Sequence, residues 1–287
     1  MKFHFVTVAT KRNRHLERLE HSASLFDIPL TVLGLGDPYL GHGYKFSLIK
    51  QFVADLDDKD VVFFVDAYDV IFLADRKEIE AAFLNLNQPI CFGAEFAFRV
   101  SMKNQFLTYL RYPKAETGYR FLNSGTYAAY VGPFKALLEA MQVPEDAPSD
   151  QVLYSRYFVN HPGVIFLDSQ QHLFTCNGGR GALEDKDYTI EGSKLYAIKT
   201  KTYPKVLHIP GKLFIPLDQL TKQLGQLSFE GQYSDFDKTQ YENAKKASAK
   251  PDFFKLDPYL YFMLEKLFIY GLVSVFLLFV LLFAIMN

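Results

Sequence analysis

The amino-acid sequence predicts an α/β fold, a mostly parallel sheet sandwiched by helices, followed by one C-terminal transmembrane helix. Three observations carry this. Short β-rich apolar runs alternate with stretches of helical spacing, the pattern of strands joined by helical crossovers. Residues 61–65 (VVFFV) are continuously apolar, as in a parallel strand covered on both faces. Residues 267–286 (LFIYGLVSVFLLFVLLFAIM) run for 20 positions without a charge, and a helix of that length spans about 30 Å, the hydrocarbon thickness of a bilayer.

Taken in order, residues 3–9 (FHFVTVA) read as a first strand, and the basic stretch 11–18 opens a helix. Residues 30–35 (LTVLGL) form a second strand, broken by the turn-rich GDPYLGHGY, and 45–56 carry helical apolar spacing. The strand at 61–65 ends in the polar cluster DAYD, and a helix is expected over 78–84. Further strands are expected at 90–94, 126–131, 164–167 and 206–208, with helices near 102–110, 133–141 and 151–157. Residues 1–220 therefore read as one catalytic-size domain. The polar, Lys/Gln/Asp-rich stretch 221–264, with KKASAK near its middle, reads as a juxtamembrane linker, and 265–287 as the anchor.

Composition narrows the function classes. The 287 residues hold 31 Lys+Arg against 32 Asp+Glu, a net charge of −1, which excludes a nucleic-acid binder driven by bulk charge. Cys91 and Cys176 lack CxxC spacing and a neighbouring Cys/His cluster, so they read as buried thiols rather than a disulfide framework or a zinc site. Lys245, Lys246, Lys250, Lys255 and Lys266 precede the apolar run and only Asn287 follows it. The positive-inside rule then places the large part in the cytoplasm, with Tyr259, Tyr261 and Phe262 at the headgroup layer. The N-terminal MKFHFVTVATKR has too short an apolar run for a secretory signal. The expectation is a tail-anchored protein.

In open α/β sheets ligands bind beyond the carboxyl ends of the strands, and Asp66 and Asp69 follow the strand at 61–65. Two carboxylates three residues apart can turn toward one point and offer hard oxygen ligands to Mg²⁺ or Mn²⁺. Acids at a strand end also serve as helix caps and turn formers, and spacing alone leaves both readings open.

FFVDAYDVIF, GYRFLNSGTYAAY, SDQVLYSRYF and VLHIPGK occur in that order, behind VTVATKR and LTVLGLGDPYLGHGYK. Together they resemble the glycosyltransferase domain of procollagen lysyl hydroxylases and related collagen glycosyltransferases, over about residues 3–212. That family is similar to GT-A enzymes, with a Rossmann-like sheet, a nucleotide-sugar donor and a divalent metal, usually Mn²⁺, with Mg²⁺ as the other candidate.

The resemblance implies roles residue by residue. Asp66 and Asp69 match the acidic pair that holds the metal, and His208 the later ligand. Imidazole with carboxylate oxygens suits Mn²⁺ better than Ca²⁺. Tyr68 matches the ring that stacks on uracil. Val8 and Thr10 match the nucleotide-contacting end of the first strand, and Lys45 a lysine near the diphosphate. Asp150 and Gln151 match the end of an acidic run, with Asp150 acting as base or stabilising an oxocarbenium-like transition state. Its other role would be the N-cap of the helix beginning at Gln151. Glu95, Asn123 and Ser124 match positions lining the sugar pocket.

Three departures stand out. The acidic run is PEDAPSD, with two prolines. Pro210 replaces the Asn that follows the histidine in the family, leaving Gly211 and Lys212 for the diphosphate. No hydroxylase domain follows the glycosyltransferase-like part. The implied activity is transfer of a hexose, from UDP-glucose or UDP-galactose, to a hydroxyl acceptor on a protein, glycan or lipid. One alternative is an inactive GT-A domain binding a glycan or partner at the membrane. Another is a haloacid-type phosphohydrolase, whose Asp-x-Asp motif stands here as Asp-Ala-Tyr-Asp.

Overall fold

A computed structural model describes residues 1–96, 98, 105–143, 147, 149–177, 187–248, 267, 270 and 271. The expected transmembrane run at 267–286 lies almost wholly outside them, as do residues 249–264 of the expected linker and the first residues of the helix expected at 102–110, whose described part is α4 (Gln105–Arg111). Among the described residues no helix is long and apolar enough to cross a membrane.

The described residues build a nine-stranded mixed sheet, in the order β2-β1-β3-β6-β5-β8-β11-β4 with β7 beside β5. Strands β1 (Phe3–Val8), β2 (Leu30–Leu33), β3 (Val61–Val65), β5 (Ile90–Glu95), β7 (Phe166–Asp168), β8 (Phe174–Cys176) and β11 (Val206–His208) correspond to a parallel set. Two strands run against it, β6 (Phe121–Tyr130) between β3 and β5, and β4 (Val70–Phe72) beside β11. A hairpin of β9 (Tyr188–Glu191) and β10 (Lys194–Ala197) forms a separate two-stranded sheet.

Helices cover both faces, as the buried run at 61–65 demands. Every residue of β3 is buried. Its Val62 and Phe64 pack with α2 (His42–Ala54), α5 (Val131–Met141) and α6 (Asp150–Asn160), through Phe46, Ile49, Phe134 and Tyr154. Val61, Phe63 and Val65 face α1 (Arg14–Leu25) and α3 (Arg76–Leu86) through Leu16, Leu19, Ile79 and Phe83. The alternation of strand side chains between faces divides the core in this way. Caps set where helices begin. The Asn13 carboxamide accepts from His15 N and Leu16 N at the start of α1, and Asp75 accepts from Glu78 N at the start of α3.

Six elements escape the sequence reading. The strands β4 and β8 are three residues each, too short for a period to register. The β9–β10 hairpin did carry a signal, the two-residue Gly192-Ser193 turn between β-rich runs. Helix α7 (Phe214–Gln223) buries Leu217 and Leu220 against Ile71 and Leu207. The stretch expected to be a solvated linker from residue 221 instead contains α8 (Asp235–Ser248), which contacts α7. It is tied to α1 by Arg14, whose guanidinium meets Asp237 at 3.4 Å. Polarity there marks one exposed helix face rather than an unstructured connection.

Candidate active site

Parallel strands bring their carboxyl ends to one edge, and the site is assembled there. Asp66 follows β3 directly, with its N–H bonded to the Gly125 carbonyl at 2.7 Å. The turn 66–69 then reverses the chain into β4, which pairs with β11 so that Val70 opposes His208. Residues more than a hundred positions apart are thereby placed together. One ligand atom from each of Asp66, Asp69 and His208 lies within 4.8 Å of the others. His208 Nε2 is 3.2 Å from Asp69 Oδ1 and 3.9 Å from Asp66 Oδ2.

The histidine is oriented from behind. Asn123 Oδ1 accepts from the Gly125 N–H at 2.9 Å and faces His208 Nδ1 at 3.0 Å. An oxygen that already accepts a backbone N–H receives the Nδ1 proton as well, which turns Nε2 toward the two carboxylates. His208 is 2% exposed, and among the described residues Nε2 has no contact with full hydrogen-bond geometry. Burial works against an imidazolium there, yet Asp69 outweighs it and His208 is pushed well above its ordinary pKa. An imidazole nitrogen buried beside two carboxylate oxygens, at 3.2 and 3.9 Å, fits a divalent cation, and the N/O donor set fits Mn²⁺ or Mg²⁺ chemistry.

Gly125 makes room for this. A Cβ there would lie 2.3 Å from His208 Cε1 and 2.5 Å from Asp66 Oδ2. The register between β5 and β6 shifts between Phe92 and Gly93, so residues 124–126 are accommodated as an irregularity inside the strand. Such bulges re-aim side chains beside sites. The sequence expectation began this strand at Thr126, because Asn-Ser-Gly reads locally as a turn.

Beside the triad, Lys45 Nζ lies 2.7 Å from Asp66 Oδ1 and 2.7 Å from Asp150 Oδ2, and 4.7 Å from the centre of the Phe64 ring. Burial opposes its charge, but Asp150 and Asp66 more than offset this and raise its pKa. The lysine expected near the diphosphate thus bridges a candidate ligand and the candidate catalytic acid. Asp150 is not the N-cap of α6. Ser149 holds that position, accepting from Val152 N, and frees the Asp150 carboxylate to turn toward Lys45. Glu95, 1% exposed, accepts from Gln151 Nε2 at 2.7 Å and from Asn123 Nδ2 at 3.4 Å. Ser124 is buried in β6 between Asn123 and Gly125.

The remaining expected residues lie around this centre. The Tyr68 hydroxyl donates to the Lys11 carbonyl at 2.9 Å, which docks its ring against the loop after β1; Val8 at the end of β1 and Thr10 in that loop are half-buried. Gly211 and Lys212 both have positive φ in an exposed turn. The Lys212 ammonium lies over the Phe236 ring of α8 at 5.5 Å, so in this conformation it is engaged by that helix. Sequence reasoning missed Gly125 as a determinant of the site, although it stood inside the FLNSG motif. It also missed Arg18, whose Nη2 donates to the Tyr68 carbonyl at 2.9 Å between the two acids.

The chain is similar to several known proteins. A family model described as PLOD GT domain matches residues 1–232. Procollagen-lysine,2-oxoglutarate 5-dioxygenase 1 of Gallus gallus is 28% identical over 238 residues, covering 77% of this chain and 32% of that protein. The multifunctional procollagen lysine hydroxylase and glycosyltransferase of Caenorhabditis elegans is 31% identical over 239 residues, with the same two coverages of 77% and 32%. The chain spans about a third of the length of the curated relatives it matches. A solved structure of the galactosyltransferase LgtC with donor and acceptor sugar analogues aligns over 89% of this chain and 99% of that one, at 13% identity and a TM-score of 0.44.

Proposed function

Because the chain belongs to the PLOD glycosyltransferase-domain family, we propose that it is a membrane-anchored, metal-dependent glycosyltransferase. In this reading it moves a hexose, glucose or galactose, from a UDP-sugar to a hydroxyl on a protein, glycan or lipid. The observation that carries the reading is the convergence of Asp66, Asp69 and His208 next to the Lys45–Asp150 pair. Asp66, Asp69 and His208 would hold Mn²⁺ or Mg²⁺, which when bound supplies positive charge to the leaving diphosphate.

The chain's own residues divide the remaining work. Asp150, held 2.7 Å from the Lys45 ammonium, serves as a carboxylate, either accepting the acceptor hydroxyl's proton or stabilising positive charge at the anomeric carbon. Glu95 and Gln151, bonded to each other, present a rigid polar wall suited to sugar hydroxyls. Asn123 spends its amide on His208 and Glu95, and so acts on the orientation of both. Tyr68 offers its ring as a platform for the base. Residues 267–286 would form the anchor, with the catalytic part on the cytoplasmic side.

A UDP-sugar panel incubated with the chain and Mn²⁺, with EDTA as control, tests this. UDP release is expected for one hexose donor, and it should vanish with EDTA and in an Asp66→Ala, Asp69→Ala double variant. A folded chain that neither binds nor cleaves any UDP-sugar would instead support a non-catalytic binding domain.

A further inference from the structure

Behind the acidic turn lies an ion pair with no solvent contact. Arg18 on α1 and Asp218 on α7 are both 0% exposed, with Nη1 to Oδ1 at 2.6 Å. The other terminal nitrogen of Arg18, Nη2, donates to the main-chain carbonyl of Tyr68 at 2.9 Å. Tyr68 stands between Asp66 and Asp69, so the guanidinium grips the middle of the turn that presents both carboxylates. Asp218 is itself held in place, since Oδ1 accepts from Phe229 N at 3.2 Å and its carbonyl accepts from Ser228 Oγ at 3.0 Å.

The connectivity gives this pair a consequence beyond packing. β11 ends on His208, and the chain leaving it enters α7, which carries Asp218. The segment that supplies the imidazole therefore also supplies the counter-ion that fixes Arg18 on the acidic turn. One tie between the two segments already exists on the strand side, where Ile209 N donates to the Asp69 carbonyl at 2.9 Å. Arg18 adds a second tie from the opposite side. Buried ion pairs are weak stabilisers compared with apolar packing, so a fully desolvated pair at this position is better accounted for by what it orients.

We propose that Arg18, locked by Asp218, is a positioning residue that holds the Asp66–Asp69 turn at cation-binding distance from His208, an inference that rests on the metal-dependent reading above. Arginine suits the task because two different nitrogens of one planar fork reach a carboxylate and a carbonyl at once. A lysine ammonium at the end of a flexible stem does not reproduce that geometry.

The test is Mn²⁺ titrated into the whole 287-residue chain, with free Mn²⁺ followed by the electron paramagnetic resonance signal of the aqua ion and thermal melting recorded in parallel. The first variant, Arg18→Met with Asp218→Leu, removes both buried charges together and leaves neither uncompensated. The second, Arg18→Lys, keeps the charge facing Asp218. Both should weaken the Mn²⁺ Kd by about tenfold or more, the scale of lost outer-sphere support, with Arg18→Lys melting close to the parent. Parent-like Mn²⁺ affinity in the folded variants would overturn the proposal and leave the metal-dependent reading standing. If the paired variant does not fold, Arg18→Lys decides alone. A parent chain that takes up no Mn²⁺ would overturn the metal-dependent reading and this inference with it.

Discussion

Gly125 shows how little tolerance the site has at single residues. A methyl group there would meet His208 Cε1 at 2.3 Å and Asp66 Oδ2 at 2.5 Å, separations that force a side chain to move. Both neighbours are candidate ligands, and His208 is boxed in by Asn123 at Nδ1 and by Cys176, whose Sγ is 4.0 Å away. Gly125→Ala is therefore expected to weaken Mn²⁺ binding by about tenfold or more, with the thermal midpoint lowered by only a few degrees. Parallel Mn²⁺ titration and melting check this, and unchanged Mn²⁺ affinity would rule out the triad as the cation site. Asp66 and Asp69 stood out as candidates because acids after a strand end are a local pattern, whereas His208 and Asp150 entered only through the resemblance of their motifs. Gly125 and Arg18 were not, because their roles depend on neighbours from distant parts of the chain.

At the scale of elements, the contact between α1 and α7 carries a pH dependence. The His15 ring stacks on Phe214 at 3.7 Å. Burial lowers its pKa to about 4, helped by the adjacent Arg18 and Arg14 charges. In the unfolded chain the ordinary value near 6.5 returns. The folded state then binds fewer protons than the unfolded state between those values, so this contribution is intact above about pH 6.5 and is lost as pH falls toward 4. The loss amounts to about 2 kcal/mol once the ring's partial exposure is discounted. Urea unfolding at pH 7.5 and pH 5 should show it, and His15→Phe should flatten that difference. An equal pH difference in the variant would locate the titrating group elsewhere. Elements such as α1, β3 and α3 were legible from local composition, β3 from its unbroken apolar run. β4 and β8 were not, since three residues contain no period and their pairing comes from the sheet.

For the whole molecule, every candidate site residue lies at or before Lys212, and the uncharged run begins at Leu267. Catalysis and anchoring are therefore expected to separate. The whole chain should sediment with membranes through alkaline carbonate washing, whereas a chain ending at residue 248 should stay in the supernatant and keep its Mn²⁺-dependent UDP-sugar turnover. Recovery of the shortened chain in the membrane pellet would mean that another surface holds it there.

The sequence by itself determined the strand–helix alternation, the acids at the end of β3 and the uncharged C-terminal run, because each is written in contiguous residues and follows from local periodicity or transfer energy. Tertiary structure alone decided that β4 turns back to pair with β11, that β6 runs against its neighbours with an irregularity at 124–126, and that Arg18 and Asp218 close behind the acidic turn. These outcomes depend on which strands become neighbours in the sheet. That order is set by packing both faces of the buried strands at once, and no single stretch of sequence encodes it.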